Sequence, residues 1–158
     1  MIKSSHTVNH IEVGCDEAGR GSLAGPVVSC SVIFPKKIKI KEINDSKLLS
    51  KNKRIKLEKI IKEKAIDYSF GIANVEEIDK INILNASILS MHRSLSKIKN
   101  YFDLILVDGN RFKNYKDKKH ICIVKGDSKY VSIAAASILA KNFRDRLMID
   151  LSLSLIHI

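Results

Sequence analysis

Residues 14–26 read GCDEAGRGSLAGP and place two acidic side chains inside a run of glycines. Asp16 and Glu17 are adjacent, so their like charges repel and each tends to raise the pKa of the other. Such a pair persists either because both carboxylates are solvated or because a positive group lies between them. On a regular strand the two side chains would point to opposite faces, and we expect a glycine-assisted bend after Asp16 to bring both to one place.

The composition around this segment is that of one soluble, globular domain with a strong positive charge. The chain has 158 residues, of which 45% are hydrophobic and 28% charged, and its formal net charge is +11. This charge favours a polyanionic partner, although a codon bias toward Lys, Asn and Ile would also produce it. The sequence has neither an apolar run long enough to span a bilayer nor the apolar core of a signal peptide, so we expect a cytoplasmic protein that does not bind membranes. Nothing in the sequence specifies an oligomeric state, and a monomer is the default expectation.

The cysteines and histidines give no sign of a disulfide framework or a zinc site. Cys15, Cys30 and Cys122 are odd in number and far apart in the sequence, so we expect buried, reduced thiols. The five histidines lack the spacing of zinc ligands. Metal chemistry in this chain would therefore depend on carboxylates.

Hydrophobic patterning predicts strands that alternate with helices, which indicates an α/β fold with a central sheet and helices on its faces. Short apolar or β-branched runs predict strands at 11–15, 26–34, 67–73, 103–108 and 120–127. Three helices are predicted. The first begins after Ser50, the second begins with the capping pair Asn74 and Glu77, and the third covers 128–148. The second of them carries an apolar stripe that we expect to face the core: Ile81, Leu84, Ile88, Met91, Leu95 and Ile98.

Carboxylates stand beside glycines at three predicted strand ends. Asp16 lies among four glycines, Asp108 precedes Gly109, and Asp127 follows Gly126. Asp-Gly and Gly-Asp are also ordinary turn pairs, but three such places together favour a shared site. Carboxylate oxygens suit Mg²⁺ or Mn²⁺. A cluster of about four carboxylates also suits two ions ~3.5–4 Å apart, the arrangement used for phosphodiester displacement.

Six blocks of this sequence resemble the ribonuclease HII family, and they occur in the family's order. They are GCDEAGRGSLAGPVV, NDSKLLS, EIDKINILNAS, LVDGNR, VKGDS and SIAAASILAKNFRD, and together they cover roughly residues 11–148. The resemblance implies a ribonuclease H-like fold, with a central mixed β-sheet flanked by α-helices. It also implies an endonuclease that cuts RNA within RNA–DNA hybrids and cuts 5′ of single ribonucleotides embedded in duplex DNA.

The resemblance further implies a set of site residues. The catalytic, metal-binding carboxylates of the family fall on Asp16, Glu17, Asp108 and Asp127. The family's Gly-Arg-Gly element, which senses the 2′-OH and the adjoining phosphate, falls on Gly19, Arg20 and Gly21. Lys47 and Lys125 would contact phosphates. From the sequence alone, each lysine is explained equally well as a solvated surface cation.

The chemistry implied by the resemblance uses two Mg²⁺ or Mn²⁺ ions and no protein nucleophile. One ion would lower the pKa of a bound water that attacks the phosphorus in line, and the other would stabilise the leaving 3′-oxygen. The products would carry 3′-OH and 5′-phosphate ends. The family context is DNA replication and the excision of ribonucleotides from DNA, and a sliding clamp is among the candidate partners.

The resemblance stops near Asp145, where the family normally continues with a further helical region and a tyrosine that stacks at the RNA–DNA junction. We therefore expect a catalytic domain over 1–150 that is incomplete at its C-terminus, followed by an added tail over 151–158. The tail, LSLSLIHI, alternates apolar and polar residues, as an edge strand would. Residues 153–158 also back-translate to a transposon end used in sequencing libraries, so we favour a non-native origin for the tail.

Other interpretations stay open at this point. A different metal nuclease of the ribonuclease H-like superfamily, such as a junction resolvase, would share the carboxylates but not the Gly-Arg-Gly element. Ribonuclease HIII usually has an added N-terminal domain, for which the residues before Ile11 leave no room. A weakly active or inactive fragment that binds nucleic acid is favoured by the basic charge and the truncation, and disfavoured by the complete set of four acids.

Overall fold

Strands and helices alternate along the chain, as the hydrophobic pattern predicts. The computed structural model describes residues 2–21, 24–43 and 49–156. Its strands are β1 (Glu12–Ala18), β2 (Val27–Ile33), β3 (Asp67–Ala73), β4 (Leu104–Asp108) and β5 (Lys119–Ile123). Its α-helices are α1 (Lys51–Lys64), α2 (Val75–Ser96) and α3 (Val131–Ile156), and a 3₁₀ turn at Gly126–Ser128 precedes α3.

The strands form one mixed sheet in the order β3-β2-β1-β4-β5. β1 pairs antiparallel with β2, which pairs antiparallel with β3. On its other side β1 pairs in parallel with β4, which pairs in parallel with β5. The carboxyl ends of β1, β4 and β5 therefore meet at one edge of the sheet, and the predicted central mixed sheet flanked by helices is confirmed.

Helices cover both faces of the sheet, and β1 shows how the faces are divided. Val13 and Cys15 belong to a buried apolar cluster with Met91 and Leu95 of α2. Gly14, between them, faces α3, which approaches so closely that a Cβ atom there would overlap Ser132. α1 packs against α3 in this second layer. Buried members of that layer include Cys30, Val32, Leu57, Ile61, Ala134, Ala135 and Ile138.

The starts of α1 and α2 were predicted correctly from their capping residues. Ser50 caps α1 by accepting a hydrogen bond from the backbone N–H of Lys53 at 3.2 Å. Asn74 and Glu77 form a reciprocal capping box at the start of α2, with distances of 2.9 and 3.1 Å. α2 is kinked at Asn82, whose φ of 72° lies outside the helical region. The predicted core stripe is confirmed, since Ile88, Met91 and Leu95 are buried and Ile81, Leu84 and Ile98 are partly buried.

Two predicted strand boundaries were wrong. β1 continues past both acids to Ala18, and Glu17 still pairs with Ser29 of β2, so the chain does not bend directly after Asp16. The antiparallel partner keeps β1 extended there. β5 ends at Ile123, and the chain reaches Asp127 through the 3₁₀ turn instead of a strand.

α3 is longer than predicted and includes most of the alternating segment. It begins at Val131, after the 3₁₀ turn, and runs to Ile156, so the boundary expected after residue 150 falls inside the helix. An alternating pattern produces a strand only where a neighbouring strand supplies backbone partners, whereas a helix satisfies its backbone internally. The edge-strand interpretation, which we did not favour, is therefore wrong for residues 151–156. No helix among the described residues is long and apolar enough to cross a membrane.

The three cysteines are free thiols, as predicted. Cys15 and Cys30 are buried, and burial raises the pKa of Cys15 to about 12 and the pKa of Cys30 well above its usual range. Cys122 is only partly buried, and that burial also raises its pKa. A thiol with a raised pKa is protonated near neutral pH and is a poor nucleophile and metal ligand. The chemistry of the site therefore depends on the carboxylates.

Candidate active site

Two aspartates lie next to each other on the parallel, neighbouring strands β1 and β4. Cys15 pairs with Val107, and the next residues along the two strands are Asp16 and Asp108. Asp16 is buried, with 5% of its surface exposed, and Asp108 occupies the last position of β4. Parallel pairing therefore places two carboxylates from distant parts of the sequence side by side at one edge of the sheet.

A third aspartate reaches this edge from the 3₁₀ turn. The backbone N–H of Asp127 donates to Oδ1 of Asp108 over 3.4 Å, which is a long hydrogen bond. Gly126 allows this approach, because a Cβ atom there would lie 2.7 Å from Cδ1 of Ile133 and 3.4 Å from Oδ1 of Asp108. Asp127 is itself buried. The Gly-Asp pair in the sequence therefore marks a close approach to the site and not an exposed turn.

Glu17 is the fourth acid, and its carboxylate is only partly satisfied. Oε1 lies 3.9 Å from Nη1 of Arg20, whereas Oε2 is buried and has no hydrogen-bond partner among the described residues. Burial raises the pKa of Glu17 and the charge of Asp108 raises it further, while hydrogen bonding with Asp16 and the charge of Arg20 oppose the rise. A buried oxygen without a partner costs free energy, so a cation at this position would be stabilising.

Asp16 interacts electrostatically with each of the other three acids. Burial raises the pKa of Asp16 well above its usual range, and the negative charges of Glu17, Asp108 and Asp127 add to the rise. The backbone N–H of Glu17, which donates to Oδ1 of Asp16 at 2.8 Å, opposes it. Within the described ranges, no three His, Cys, Asp or Glu side chains already form a metal-binding cage. The four acids thus share one edge of the sheet and interact electrostatically without a preformed set of ligands.

The Gly-Arg-Gly segment follows directly, where the chain leaves β1. Gly19 has a φ of +101°, a left-handed conformation that favours glycine. Arg20 is 48% exposed and faces the carboxylate of Glu17. Among the described residues, apart from its chain neighbours, no atom lies within 4 Å of the position that a Cβ atom of Gly21 would take. The predicted substrate-sensing residues therefore lie beside the acids, and Gly21 itself has no side chain to keep a ligand from the backbone.

A residue of α3 that the sequence analysis missed holds the connection between β1 and β2. Arg144 donates from Nε to the carbonyl oxygen of Pro26 at 2.9 Å and from Nη2 to the carbonyl oxygen of Ala24 at 2.8 Å. Arg144 belongs to the block SIAAASILAKNFRD, but its spacing does not distinguish it from the other charged residues of that block. Only the tertiary contact distinguishes it.

The two predicted phosphate-binding lysines differ in what the structure says of them. Lys125 is exposed and stands two residues before Asp127, so it lies at the rim of the acidic site. Its φ of 56° is left-handed, which is uncommon for a residue other than glycine, and this conformation leads the chain into the 3₁₀ turn. Lys47 and the rest of the NDSK motif lie outside the described residues.

Comparison with known proteins identifies the family. The family model for ribonuclease HII matches residues 13–155. This chain belongs to the ribonuclease HII family. Ribonuclease HII of Parabacteroides distasonis is 55% identical over 153 residues, which cover 97% of this chain and 77% of that protein. Ribonuclease HII of Bacteroides fragilis is 54% identical over 138 residues, which cover 87% of this chain and 69% of that protein.

Solved structures share the fold of this chain. The ribonuclease H2 from Pyrococcus horikoshii OT3 has a TM-score of 0.74 at 29% identity, covering 89% of this chain and 74% of that chain. The PCNA:RNase HII complex from Archaeoglobus fulgidus gives 0.76 at 23% identity, covering 92% and 78%. Bst-RNase HIII in complex with Mn²⁺ gives 0.74 at 22% identity, covering 91% and 55%. The expected ribonuclease H-like fold is therefore confirmed, and the last two likenesses support the fold alone.

Membership in the ribonuclease HII family decides between the alternatives that involve catalysis. The family model and the similar relatives are ribonuclease HII, so neither a junction resolvase nor ribonuclease HIII is needed to explain the carboxylates. The chain is accordingly an endoribonuclease of the ribonuclease H type, a hydrolase that acts on nucleic acid. The weak activity expected for an incomplete domain stays a prediction.

Proposed function

We propose that this chain cuts the RNA strand of RNA–DNA hybrids and cuts 5′ of single ribonucleotides in duplex DNA, leaving 3′-OH and 5′-phosphate ends. One observation carries the proposal: three further acids act electrostatically on buried Asp16 at the edge of the sheet. The lack of a side chain at Gly21, beside these acids, supports recognition of the ribose through the backbone. Only the 2′-OH distinguishes RNA from DNA at a given position.

The four acids fit divalent cations by their chemistry and charge. They supply only oxygen ligands, which suit Mg²⁺ and Mn²⁺. Oε2 of Glu17 is buried with no hydrogen-bond partner among the described residues, and Asp16 is buried among like charges, so positive charge is favourable at both. We assign Asp16, Glu17, Asp108 and Asp127 to holding two such ions. When bound, the ions would activate a water and neutralise charge on the phosphodiester.

The Gly-Arg-Gly segment would read the sugar and the adjoining phosphate. Arg20 has an exposed guanidinium next to Glu17 and can donate hydrogen bonds to a phosphate oxygen. The backbone at Gly21 can approach a ribose closely because glycine has no side chain, whereas Gly19 is packed against the side chain of Arg144 and shapes the turn. A deoxyribose would leave the polar groups that meet the 2′-OH unpaired, and such loss discriminates strongly between substrates.

Positive charge would hold the duplex against this edge. The net charge of +11 favours association with a polyanion, and Lys125 is exposed at the rim of the acidic site. We assign Lys125 and Lys47 to phosphate contacts. Contacts of this kind release counterions, so binding of the duplex is expected to weaken steeply as the salt concentration rises.

The test is cleavage of a labelled DNA duplex that contains one ribonucleotide, with an all-DNA duplex of the same sequence as the matched substrate. Each is incubated with the purified chain and Mn²⁺, Mg²⁺ or a chelator. We expect a single cut 5′ of the ribonucleotide with either ion, no cut with the chelator, and a 3′-OH end that a polymerase extends. Cutting of an RNA–DNA hybrid is measured in parallel.

Two results would contradict the proposal. Equal cutting of the all-DNA duplex would show a nuclease that does not read the 2′-OH. Retained, salt-sensitive duplex binding without any cutting, by a chain shown to be folded by circular dichroism, would favour the interpretation as a nucleic-acid-binding fragment.

A further inference from the structure

Arg144 contacts both ends of the connection that carries the Gly-Arg-Gly segment. At the far end it donates to the carbonyl oxygens of Ala24 and Pro26 at 2.8 and 2.9 Å. At the near end its side chain lies against Gly19, where a Cβ atom would overlap Nε of Arg144 and lie 2.9 Å from Cδ. One side chain of α3 thus bridges the residue that follows β1 and the residue that precedes β2.

Two glycines in left-handed conformations make this contact possible. Gly19 has a φ of +101° and Gly25 a φ of +91°. A Cβ atom at Gly25 would lie 2.5 Å from Sδ of Met148 and 3.0 Å from Nη2 of Arg144. These glycines therefore do more than form a turn, because their missing side chains leave the space that Arg144 and Met148 occupy.

The chemistry of arginine suits this position. Its planar guanidinium presents several donors in a fixed arrangement, so one side chain can satisfy two carbonyl oxygens at once. Lysine offers a single charged nitrogen at the end of a flexible chain and cannot reproduce that planar pair of donors. Carbonyl oxygens in a connection between strands would otherwise be left to water, and the connection would be free to move.

We propose that Arg144 is a positioning residue that fixes the Gly19–Arg20–Gly21 segment relative to the four acids. The proposal rests on the proposed function, since that segment is assigned to reading the ribose. Arg144 acts through the backbone of the connection and not by touching the nucleic acid. Displacement of catalytic groups by about 1 Å can cost on the order of 100-fold in rate, so loss of this contact is expected to affect cleavage far more than folding.

The test compares Arg144→Gln with Arg146→Gln, which removes a neighbouring exposed arginine of α3 that contacts Glu58 instead. Hydrogen–deuterium exchange is followed in peptides covering residues 19–26 and, as an internal reference, in peptides covering β4 and β5. We expect faster exchange at 19–26 in Arg144→Gln alone, with the reference peptides unchanged. This measurement needs neither substrate nor activity, so it stands even if the proposed substrate is wrong.

Cleavage of the single-ribonucleotide duplex is then measured for both variants. We expect kcat/KM of Arg144→Gln to fall by about 10- to 100-fold, mainly in kcat, with Arg144→Lys recovering part of the loss and Arg146→Gln within about twofold of the wild type. Wild-type exchange at residues 19–26 in Arg144→Gln, faster exchange throughout the chain, or unchanged kcat/KM would each overturn the proposal. If Arg144→Gln fails to fold, Arg144→Lys is carried through the same exchange and kinetic measurements, with the same three outcomes decisive.

Discussion

Asp16 of β1 and Asp108 of β4 directly follow a pair of parallel strand partners, Cys15 and Val107, and this register sets them side by side. Removing the charge of Asp108 therefore removes one side of the shared acidic site while leaving the strand intact. We predict that Asp108→Asn lowers the rate of cleavage of a single-ribonucleotide duplex by at least about 100-fold at saturating Mn²⁺.

The control for this prediction is Asp117→Asn, which neutralises an exposed carboxylate just before β5, at the opposite end of the parallel strands. Its cleavage rate is expected to match that of the wild type. Wild-type cleavage by Asp108→Asn would show that the assignment of this acid is wrong.

The crowding of buried negative charge around Asp16 has a cost in stability. We predict that Asp16→Asn raises Tm in the presence of a chelator, by roughly 2–4 °C for each 1 kcal/mol of repulsion removed, while abolishing cleavage. Adding Mn²⁺ should raise Tm of the wild type and have much less effect on the variant. Thermal unfolding followed by circular dichroism gives both values. A lower Tm for Asp16→Asn under chelation would mean that the acids do not destabilise one another.

Gly14 and Gly21, both in the segment GCDEAGRGSLAGPVV, allow an effect on packing to be distinguished from an effect on cleavage. A Cβ atom at Gly14 would overlap Ser132 of α3, whereas at Gly21 it would meet no atom within 4 Å in the part of the chain that the structure describes, apart from its chain neighbours. We predict that Gly14→Ala destabilises the protein by about 1–3 kcal/mol through overpacking. Gly21→Ala should change stability by less than about 0.5 kcal/mol but lower cleavage at a single ribonucleotide. Urea unfolding and kcat/KM are measured on both variants, and the reverse pattern would contradict the prediction.

A chain of buried hydroxyl groups joins the sheet to α2. Oγ of Ser94 lies 2.5 Å from Oγ of Ser31 and donates to the carbonyl oxygen of Met91 at 2.7 Å, and Ser31 also lies 3.1 Å from Sγ of Cys15. We predict that Ser94→Ala lowers the free energy of unfolding by about 1–3 kcal/mol, because it leaves buried polar groups without a partner. Ser96→Ala is the matched control.

Ser96 makes the same kind of bond, to the carbonyl oxygen of Arg93 at 2.8 Å, but it is exposed. Its substitution should cost less than about 0.5 kcal/mol because water replaces the lost partner. Equal losses in the two variants, measured by urea unfolding, would show that burial of this network is not what matters.

The ion pair between Glu77 and Arg93 predicts a pH dependence of stability. Hydrogen bonding with Arg93 lowers the pKa of Glu77 to about 2 from its ordinary value of 4.5, so the folded state favours the ionised form. The resulting stabilisation is complete above about pH 4.5 and is lost as the pH falls toward 2. Glu77→Gln keeps a side chain that can still cap α2, so the variant tests the charge.

We expect wild type and Glu77→Gln to differ in their urea midpoints at pH 7 and to converge as the pH approaches 2. Glu76→Gln, which alters an exposed neighbour in the same turn of α2, should show no such convergence. A difference between wild type and Glu77→Gln that stays constant from pH 7 to pH 3 would contradict the ion-pair explanation.

Much of the site was predictable because sequence patterns encode strand ends and caps directly. Runs of apolar residues before Asp16 and Asp108 predict two strands with acids at their ends. The structure adds that these strands are parallel neighbours, whose register brings the two acids together. The capping box at Asn74 was predictable for the same reason, since it depends on residues three positions apart. The role of Lys47 stays a prediction, because this residue lies outside the described residues. The non-native origin of residues 151–158 also stays a prediction, which sequencing of the source DNA tests.

Other features depend on contacts between distant segments and were not predictable. The left-handed turn at Lys125 and the kink at Asn82 use conformations that their residue types disfavour, so only the surrounding structure specifies them. The bend expected after Asp16 was wrong because pairing of Glu17 with Ser29 keeps β1 extended. Arg144 was missed because its partners are backbone carbonyls, which have no signature in a sequence.

The position of α3 has a further consequence. The helix follows the turn that holds Asp127, and it also supplies Arg144, so one helix connects the third aspartate of the acidic site with the β1–β2 connection. Between these two residues in the sequence lie Ala134, Ala135 and Ala136, each fully buried. A bulkier residue at these alanines would have no free space to occupy and would displace the helix from the sheet. Small side chains in the interior would therefore be needed to keep the acids and the Gly-Arg-Gly segment in place, although none of them belongs to the site.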